Sequence, residues 1–148
     1  EAAGALEILM AGNDANRVVA EAGALPPLMD LLSNGSDEGR ANTAGALRNL
    51  ADGNTANRVA VAAALVELLS SGTDEGRVEA AGALCNLVCG NNAGIKADLL
   101  AAGAIPPLRK LLQDGVDEGR ENAAAAIIIL ENHLRRARGS RRRVIVAE

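Results

Sequence analysis

Few side chains in this 148-residue sequence could carry out catalysis. The single histidine is His133, and the two cysteines, Cys85 and Cys89, lie four residues apart in one predicted helix. Nucleophilic catalysis needs a base beside the nucleophile, and a structural zinc site needs more ligands than this pair supplies. We therefore expect no enzyme activity, no metal site and no cofactor, and we interpret the cysteines as small packing residues.

The charged string "DEGR" occurs three times, at 37–40, 74–77 and 117–120. Its arginines, Arg40, Arg77 and Arg120, could form a ladder of positive charge. Arg40 and Arg77 precede the asparagines described next by nine residues, which is about half a turn away on a helix. We therefore expect the arginines to bond carboxylates or carbonyls between units and not to line the face that carries the asparagines.

Asparagine recurs at helical spacing after each of the first two strings. Asn49 follows Asn42 by seven residues, and Asn86 follows Glu79 by seven. Residues seven apart share a face of a helix. In the third unit the same spacing joins Asn122 to Ile129, so the amide at the second position is lost there.

These positions belong to a repeated order of three phrases, each of which predicts a helix. The last phrase reads "TAGALRNL" at 43–50, "AAGALCNL" at 80–87 and "AAAAIIIL" at 123–130. The middle phrase reads "AGALPPLMDLL" at 22–32, "AALVELL" at 63–69 and "AGAIPPLRKLL" at 102–112. The first reads "NDANRVVAE" at 13–21, "NTANRVAVA" at 54–62 and "NNAGIKADLLA" at 91–101. With 49% apolar residues and no aromatic residue, this composition suits thin layers of closely packed helices.

Glycine, proline and aspartate predict where the helices end and begin. Gly23 and Gly103 suit a left-handed stop after the first helix, and paired prolines suit the first turn of the second. Asp37, Asp74 and Asp117 are predicted N-caps of the third helices. The middle unit lacks four residues, including the glycine and the prolines, so its first two helices are predicted to merge into one.

This pattern closely resembles the armadillo repeat, a unit of about 40 residues with one short and two longer helices. The phrases that carry the resemblance are "AGALPPLMDLL", "DEGR", "AGALRNLA" and the following "NTANR". The resemblance implies an all-α, right-handed armadillo-type solenoid of about three repeats plus a partial N-terminal repeat. The solenoid covers residues 1–132, with a partial repeat at 1–12 and repeats at about 13–53, 54–90 and 91–132. A basic Arg-rich tail covers 133–148.

In the armadillo family the third helices line a concave groove, and the Asn of "ALxNL" bonds the backbone of an extended peptide there. Asn49 and Asn86 match that motif, whereas Ile8 and Ile129 occupy the equivalent positions of the other units. The alternative is that these asparagines only solvate the helix. Gly45 and Gly82 stand where nuclear-import adaptors of the family carry tryptophan, so their lysine slots are not expected here. The candidate partner-binding residues are Asn42, Arg48, Asn49, Glu79, Asn86 and Asn122.

The predicted function is that of a protein–protein interaction scaffold that binds an extended peptide or partner protein along this groove. One alternative is a structural segment of a longer array that stacks end to end or self-associates; the chain begins with Glu1, as expected of a fragment. The distribution of charge suggests further alternatives that involve the tail. Residues 1–132 carry 18 Asp and Glu against 9 Lys and Arg, whereas residues 133–148 carry 6 Arg against 1 Glu. The tail is expected to be a solvated extension, to contact nucleic acid, or to fold back on the acidic groove. An intracellular location, cytoplasmic or nuclear, is expected, without membrane insertion.

Overall fold

The computed structural model describes Gly23 and residues 25–53 and 55–146, and every regular element within these residues is a helix. The helices are α1 (Leu25–Asn34), α2 (Asp37–Gly53), α3 (Thr55–Ser71), α4 (Asp74–Cys89), α5 (Ala93–Ala101), α6 (Ile105–Asp114) and α7 (Asp117–Val146). The prediction of an all-α fold is confirmed. The partial repeat at 1–12, with Ile8, and the first phrase at 13–21 lie outside the described residues.

The N-caps of α2 and α4 lie one residue earlier than the sequence predicts. Ser36 Oγ accepts a hydrogen bond from Gly39 N at 3.2 Å, and Thr73 Oγ1 accepts one from Gly76 N at 3.1 Å. The hydroxyl residue is therefore the N-cap, and the prediction that Asp37 and Asp74 are the caps is wrong. These aspartates are the first helical residues, where their charge suits the positive end of the helix dipole.

The third copy of this junction has no hydroxyl cap. α7 begins at Asp117 after Val116, whose side chain has no oxygen to bond the free N–H groups. The predicted cap at Asp117 is therefore wrong as well. Asp117 and Glu118 supply negative charge in the first turn instead.

Gly103 ends α5 as the sequence predicts. Its φ of 81° is left-handed, Gly103 N donates to Leu100 O at 3.1 Å, and Ala104 N donates to Leu99 O at 3.0 Å. This pair of bonds is the Schellman arrangement, which satisfies carbonyls at a helix end. The chain then enters α6 with Pro106 and Pro107 in the first turn, where a missing N–H costs nothing.

α3 is one continuous helix, which confirms the prediction for the shortened unit. It runs for 17 residues from Thr55 to Ser71 and replaces the two shorter helices of the last unit, α5 and α6. The merger follows because no glycine or proline interrupts "ANRVAVAAALVELLSS".

The third helices, α2, α4 and α7, lie side by side, with α2 packed on α4 and α4 packed on α7. Leu47, Leu50, Leu84 and Leu87 are buried, as predicted from their spacing. Small residues let the helices approach closely: a Cβ added to Gly119 of α7 would lie 2.9 Å from Val78 Cγ2 of α4. The core therefore runs from unit to unit along a row of stacked helices, which is an α-solenoid.

α7 continues past residue 132, where the sequence suggested that the solenoid ends and a basic tail begins. The helix extends through the Arg-rich segment to Val146, and its side chains are exposed from Leu134 to Ser140. The basic segment is thus a prolongation of the last third helix. None of the helices described here is long and apolar enough to cross a lipid bilayer.

Candidate functional site

A cavity of about 520 Å³ lies across the three third helices. We call it the groove. α2 contributes its N-terminal half, α4 its middle, and α7 its first two turns. The residues that line the groove are Leu32, Asp37, Arg40, Ala41, Ala44, Glu79, Gly82, Ala83, Asn86, Glu118 and Asn122.

Three of the predicted site residues, Glu79, Asn86 and Asn122, line the groove together. Arg48 lies at an adjoining cavity of about 90 Å³, which it shares with Asn86. Asn42 and Asn49 are partly exposed on α2 and line neither of these two cavities. The structure thus brings the candidates of α4 and α7 together, while the role of the two α2 asparagines stays a prediction.

Arg40 lines the groove, although its helical position predicted otherwise. Its Nε lies 2.9 Å from Glu79 Oε1 on the next third helix, and its Nη1 donates to Gly35 O at 3.1 Å. The helical angle places Arg40 off the asparagine face of α2, but the long side chain reaches across to α4. The expected pairing between units is confirmed for Arg40 and for Arg77, whose Nη2 lies 2.9 Å from Asp114 Oδ1. Arg120 pairs instead with Asp117 of its own helix.

Negative charge dominates the groove. Asp37, Glu79 and Glu118 supply three carboxylates, and Arg40 is the single cationic side chain in the lining. Burial raises the pKa of Glu79, Arg40 opposes this change, and the nearby Glu118 and Asp37 raise the pKa further. Glu79 therefore ionises less readily than an isolated glutamate, and an added positive charge at this position would be favourable.

Gly82 lets two third helices share the floor of the groove. A Cβ built on Gly82 would lie 3.3 Å from Asn122 Nδ2, so the amide of α7 packs directly over the glycine of α4. A tryptophan at this position would displace Asn122. At Gly82, where the sequence has no tryptophan to form a lysine slot, the side-chain amide of Asn122 occupies the space beside the glycine.

The two cysteines lie together on α4, with Cys85 Sγ 3.9 Å from Cys89 Sγ. Both are free thiols, Cys85 half-buried and Cys89 exposed. Burial raises the pKa of Cys85, and the neighbouring Cys89 adds to this effect. Within the described residues, no three or more His, Cys, Asp or Glu side chains are grouped so that they could hold a metal ion.

The groove includes three charged residues that were not predicted to line it: Asp37, Arg40 and Glu118. The available signal was the exact recurrence of "DEGR" at the start of each third helix. Helical periodicity shows which residues of one helix share a face. It does not show that the start of α7 and the start of α2 both border the middle of α4.

Comparison with known families identifies the repeat. The model described as armadillo/beta-catenin-like repeat matches residues 16–52 and 92–127. The two matches flank the unit that contains α3, whose four missing residues remove the glycine and the prolines of the pattern. A search of curated proteins finds no match.

Three of the similar solved structures are engineered or designed proteins. One engineered protein is 30% identical with a TM-score of 0.55, over 87% of this chain and 54% of its own. A designed armadillo repeat protein is 37% identical with a TM-score of 0.52, over 84% and 55%. A designed armadillo repeat protein in complex with the peptide (KR)4 is 33% identical with a TM-score of 0.54, over 90% and 61%. The chain thus spans a little over half of the length of these structures.

Proposed function

The chain belongs to the armadillo repeat family, and from that premise we propose that it is a scaffold that binds an extended, positively charged peptide segment in the groove. The observation that carries this proposal is the composition of the groove. Two amides, Asn86 and Asn122, and three carboxylates, Asp37, Glu79 and Glu118, border one cavity across three stacked helices.

The amides suit the backbone of the bound segment. An extended peptide presents N–H and C=O groups that need partners, and one asparagine side chain offers both a donor and an acceptor. Asn86 and Asn122 come from successive third helices, so each can serve a different peptide group along the segment. Asn49 and Asn42 would continue this contact along α2, with Arg48 at the edge beside Asn86.

The carboxylates suit lysine or arginine side chains of that segment. The groove carries three carboxylates against one guanidinium, and residues 1–132 carry 18 acidic against 9 basic residues. A designed armadillo protein of similar fold is solved with the basic peptide (KR)4, which supports the same choice of charge. Because the sequence has no aromatic residue, cation–π contacts are absent and binding depends on ion pairs that salt screens.

The test is the affinity for a fluorescently labelled (KR)4 peptide, measured by anisotropy. We expect Asn86→Ala/Asn122→Ala to weaken binding about thirtyfold, because two hydrogen bonds of about 1 kcal/mol each are lost and about 1.4 kcal/mol corresponds to a factor of ten. The control is Asn34→Ala. Asn34 Nδ2 donates to Asp30 Oδ1 at 2.8 Å on α1, and the residue does not line the groove.

An acidic peptide of the same length tests the charge preference and is expected not to bind. Unchanged affinity in the Asn86→Ala/Asn122→Ala protein, with a folded circular dichroism spectrum, would contradict the proposed contacts. Equal affinity for the acidic and the basic peptide would contradict the proposed electrostatics.

A further inference from the structure

The end of α7 is a helical surface with no described partner. Leu130 is buried, whereas Leu134 is 36% exposed and the side chains that follow it to Ser140 are exposed. Arg135, Arg136 and Arg138 form no ion pair with any residue that the structure describes. Three more arginines follow at 141–143 in the sequence.

One face of this helical end is both apolar and basic. Leu134 and Arg138 are four residues apart, and Arg135 and Arg138 are three apart, so the three side chains share a face. Such a face fits a surface that combines an apolar floor with a negatively charged rim.

The same molecule carries a surface of that kind. A second cavity, of about 380 Å³, lies where the starts of α4 and α7 meet the end of α6. We call it the acidic cavity. Val78, Leu111 and Val116 supply apolar side chains, and Val116 is 62% exposed. The carboxylates that line the cavity are Asp74, Glu75, Glu79, Asp114 and Glu118, against the single guanidinium of Arg40.

We propose that the Arg-rich end of α7 in one copy of this chain docks into the acidic cavity of a second copy, so that copies associate head to tail. Leu134 would cover Val116, and Arg135 and Arg138 would pair with the rim. Glu75 and Glu118 are suitable partners because neither forms an ion pair with another described residue, whereas Asp114 and Asp74 already contact Arg77.

The geometry of α7 requires that the contact be made between two copies. Glu118 at the cavity and Arg135 at the basic end belong to one continuous helix and are 17 residues apart. At 1.5 Å per residue they are separated by about 25 Å along the helix axis. While α7 stays helical, the basic end cannot fold back into its own acidic cavity.

The proposed contact joins two different surfaces, so it does not close on itself as a two-fold dimer does. Each copy keeps one free basic end and one free cavity, and growth continues with concentration. Because ion pairs dominate, association should be weak and sensitive to salt.

The first test is sedimentation velocity of the full chain over a range of protein concentrations. In about 0.1 M salt we expect species larger than a dimer to appear as concentration rises. In about 1 M salt, where the screening length falls from about 10 Å to about 3 Å, we expect monomer alone. This comparison needs no substitution, so it does not depend on whether a variant folds.

The second test assigns the two surfaces with a complementary pair of variants. Asp74→Asn/Glu75→Gln neutralises residues that line the acidic cavity and not the groove. Arg135→Gln/Arg136→Gln/Arg138→Gln neutralises the basic end and keeps good helix formers. Each protein alone should associate at least about tenfold more weakly than wild type. An equimolar mixture has one intact basic end and one intact cavity, and should stop at a one-to-one dimer.

Wild type that stays monomeric in low salt would overturn the proposal, as would variants that associate as well as wild type. Salt-sensitive RNA binding through the basic end by a protein that remains monomeric would also overturn it. Glu79 and Glu118 line both the groove and the acidic cavity, so residues that line only one of them distinguish the two proposals: Asn86→Ala/Asn122→Ala should weaken peptide binding and leave association unchanged.

Discussion

At the scale of single residues, opposing effects act on the pKa of Glu79, and a bound peptide would change their balance. Burial and the neighbouring Glu118 and Asp37 raise its pKa, whereas Arg40, with its Nε 2.9 Å away, lowers it. A lysine or arginine of a peptide would act in the same direction as Arg40. Binding of a cation should therefore lower the pKa of Glu79 and release a proton.

This coupling predicts the pH dependence of peptide affinity. The folded pKa of Glu79 lies above its ordinary value of 4.5, so a fraction of the free protein is protonated there just above that pH. As pH rises through this window, the ionised form of Glu79 returns and the affinity for (KR)4 should rise. Glu79→Gln should flatten this part of the profile. Anisotropy titrations from acid to neutral pH provide the measurement, and an identical profile in the variant would contradict the prediction.

The residue scale also shows what the sequence could and could not predict about the groove. Seven-residue spacing indicated the shared face of Glu79 and Asn86, and the structure brings both to the groove with Asn122. Arg40 was missed because the groove borders the face of α2 that carries Arg40, Ala41 and Ala44, and not the face that carries Asn42 and Asn49. Such contacts depend on the distance between helices, which periodicity does not contain.

At the scale of elements, the sequence predicted most helix ends because glycine and proline decide them locally. Gly103 adopts the left-handed conformation, and the unit without these residues forms the single helix α3. The caps were misplaced by one residue because Asp and Ser or Thr are both good caps and stand side by side. The continuation of α7 to Val146 was not predicted, because the repeat pattern ends at residue 132 and Gly139 follows, a residue type that often ends helices. The helix nevertheless continues through Gly139, in a segment rich in arginine, which is a good helix former.

The caps give a prediction at this scale. Thr73 Oγ1 accepts from Gly76 N, so Thr73→Ala should lower the free energy of unfolding by about 1 kcal/mol. Thr73→Ser is the matched control and should cost little, because the hydroxyl remains. Urea denaturation followed by circular dichroism measures both. Equal losses in the two variants would show that the hydroxyl does not stabilise α4.

At the scale of the whole molecule, equivalent positions reveal how stacking buries the chain. Leu32, Leu69 and Leu112 occupy the same place in successive units. The first two are 1% exposed, whereas Leu112 is 39% exposed. The difference arises because the first two lie inside the described stack and Leu112 lies on its last face. The repeat places the same residue type at equivalent positions of each unit. How deeply each residue is buried depends on whether another unit stacks on it.

A charged pair occupies the same last face. Arg109 Nη2 lies 2.8 Å from Glu131 Oε1, whereas the equivalent positions of the preceding unit are Val66 and Val88. A polar outer face is typical of the unit at the end of a solenoid. This pair weighs against stacking another unit directly on this face, and it is one reason for placing the proposed self-contact at the end of α7.

The unequal burial predicts unequal effects of one substitution. Leu69→Ala should lower the free energy of unfolding by about 2–5 kcal/mol, because it opens a cavity between stacked helices. Leu112→Ala removes the same atoms from a partly exposed position and should cost less than about 1 kcal/mol. Urea denaturation compares the two proteins directly. Similar losses would mean that the last face is covered in solution.

The stacked third helices present one groove, and we propose that this groove holds a basic, extended peptide. Nuclear magnetic resonance can locate the bound peptide by following the backbone and Asn side-chain amide signals of the protein as (KR)4 is added. We predict that the largest shifts fall on Glu79, Gly82, Asn86 and Asn122, and that α5 and α6 change little. Shifts concentrated on α5 and α6, with Asn86 and Asn122 unchanged, would contradict the proposed binding site.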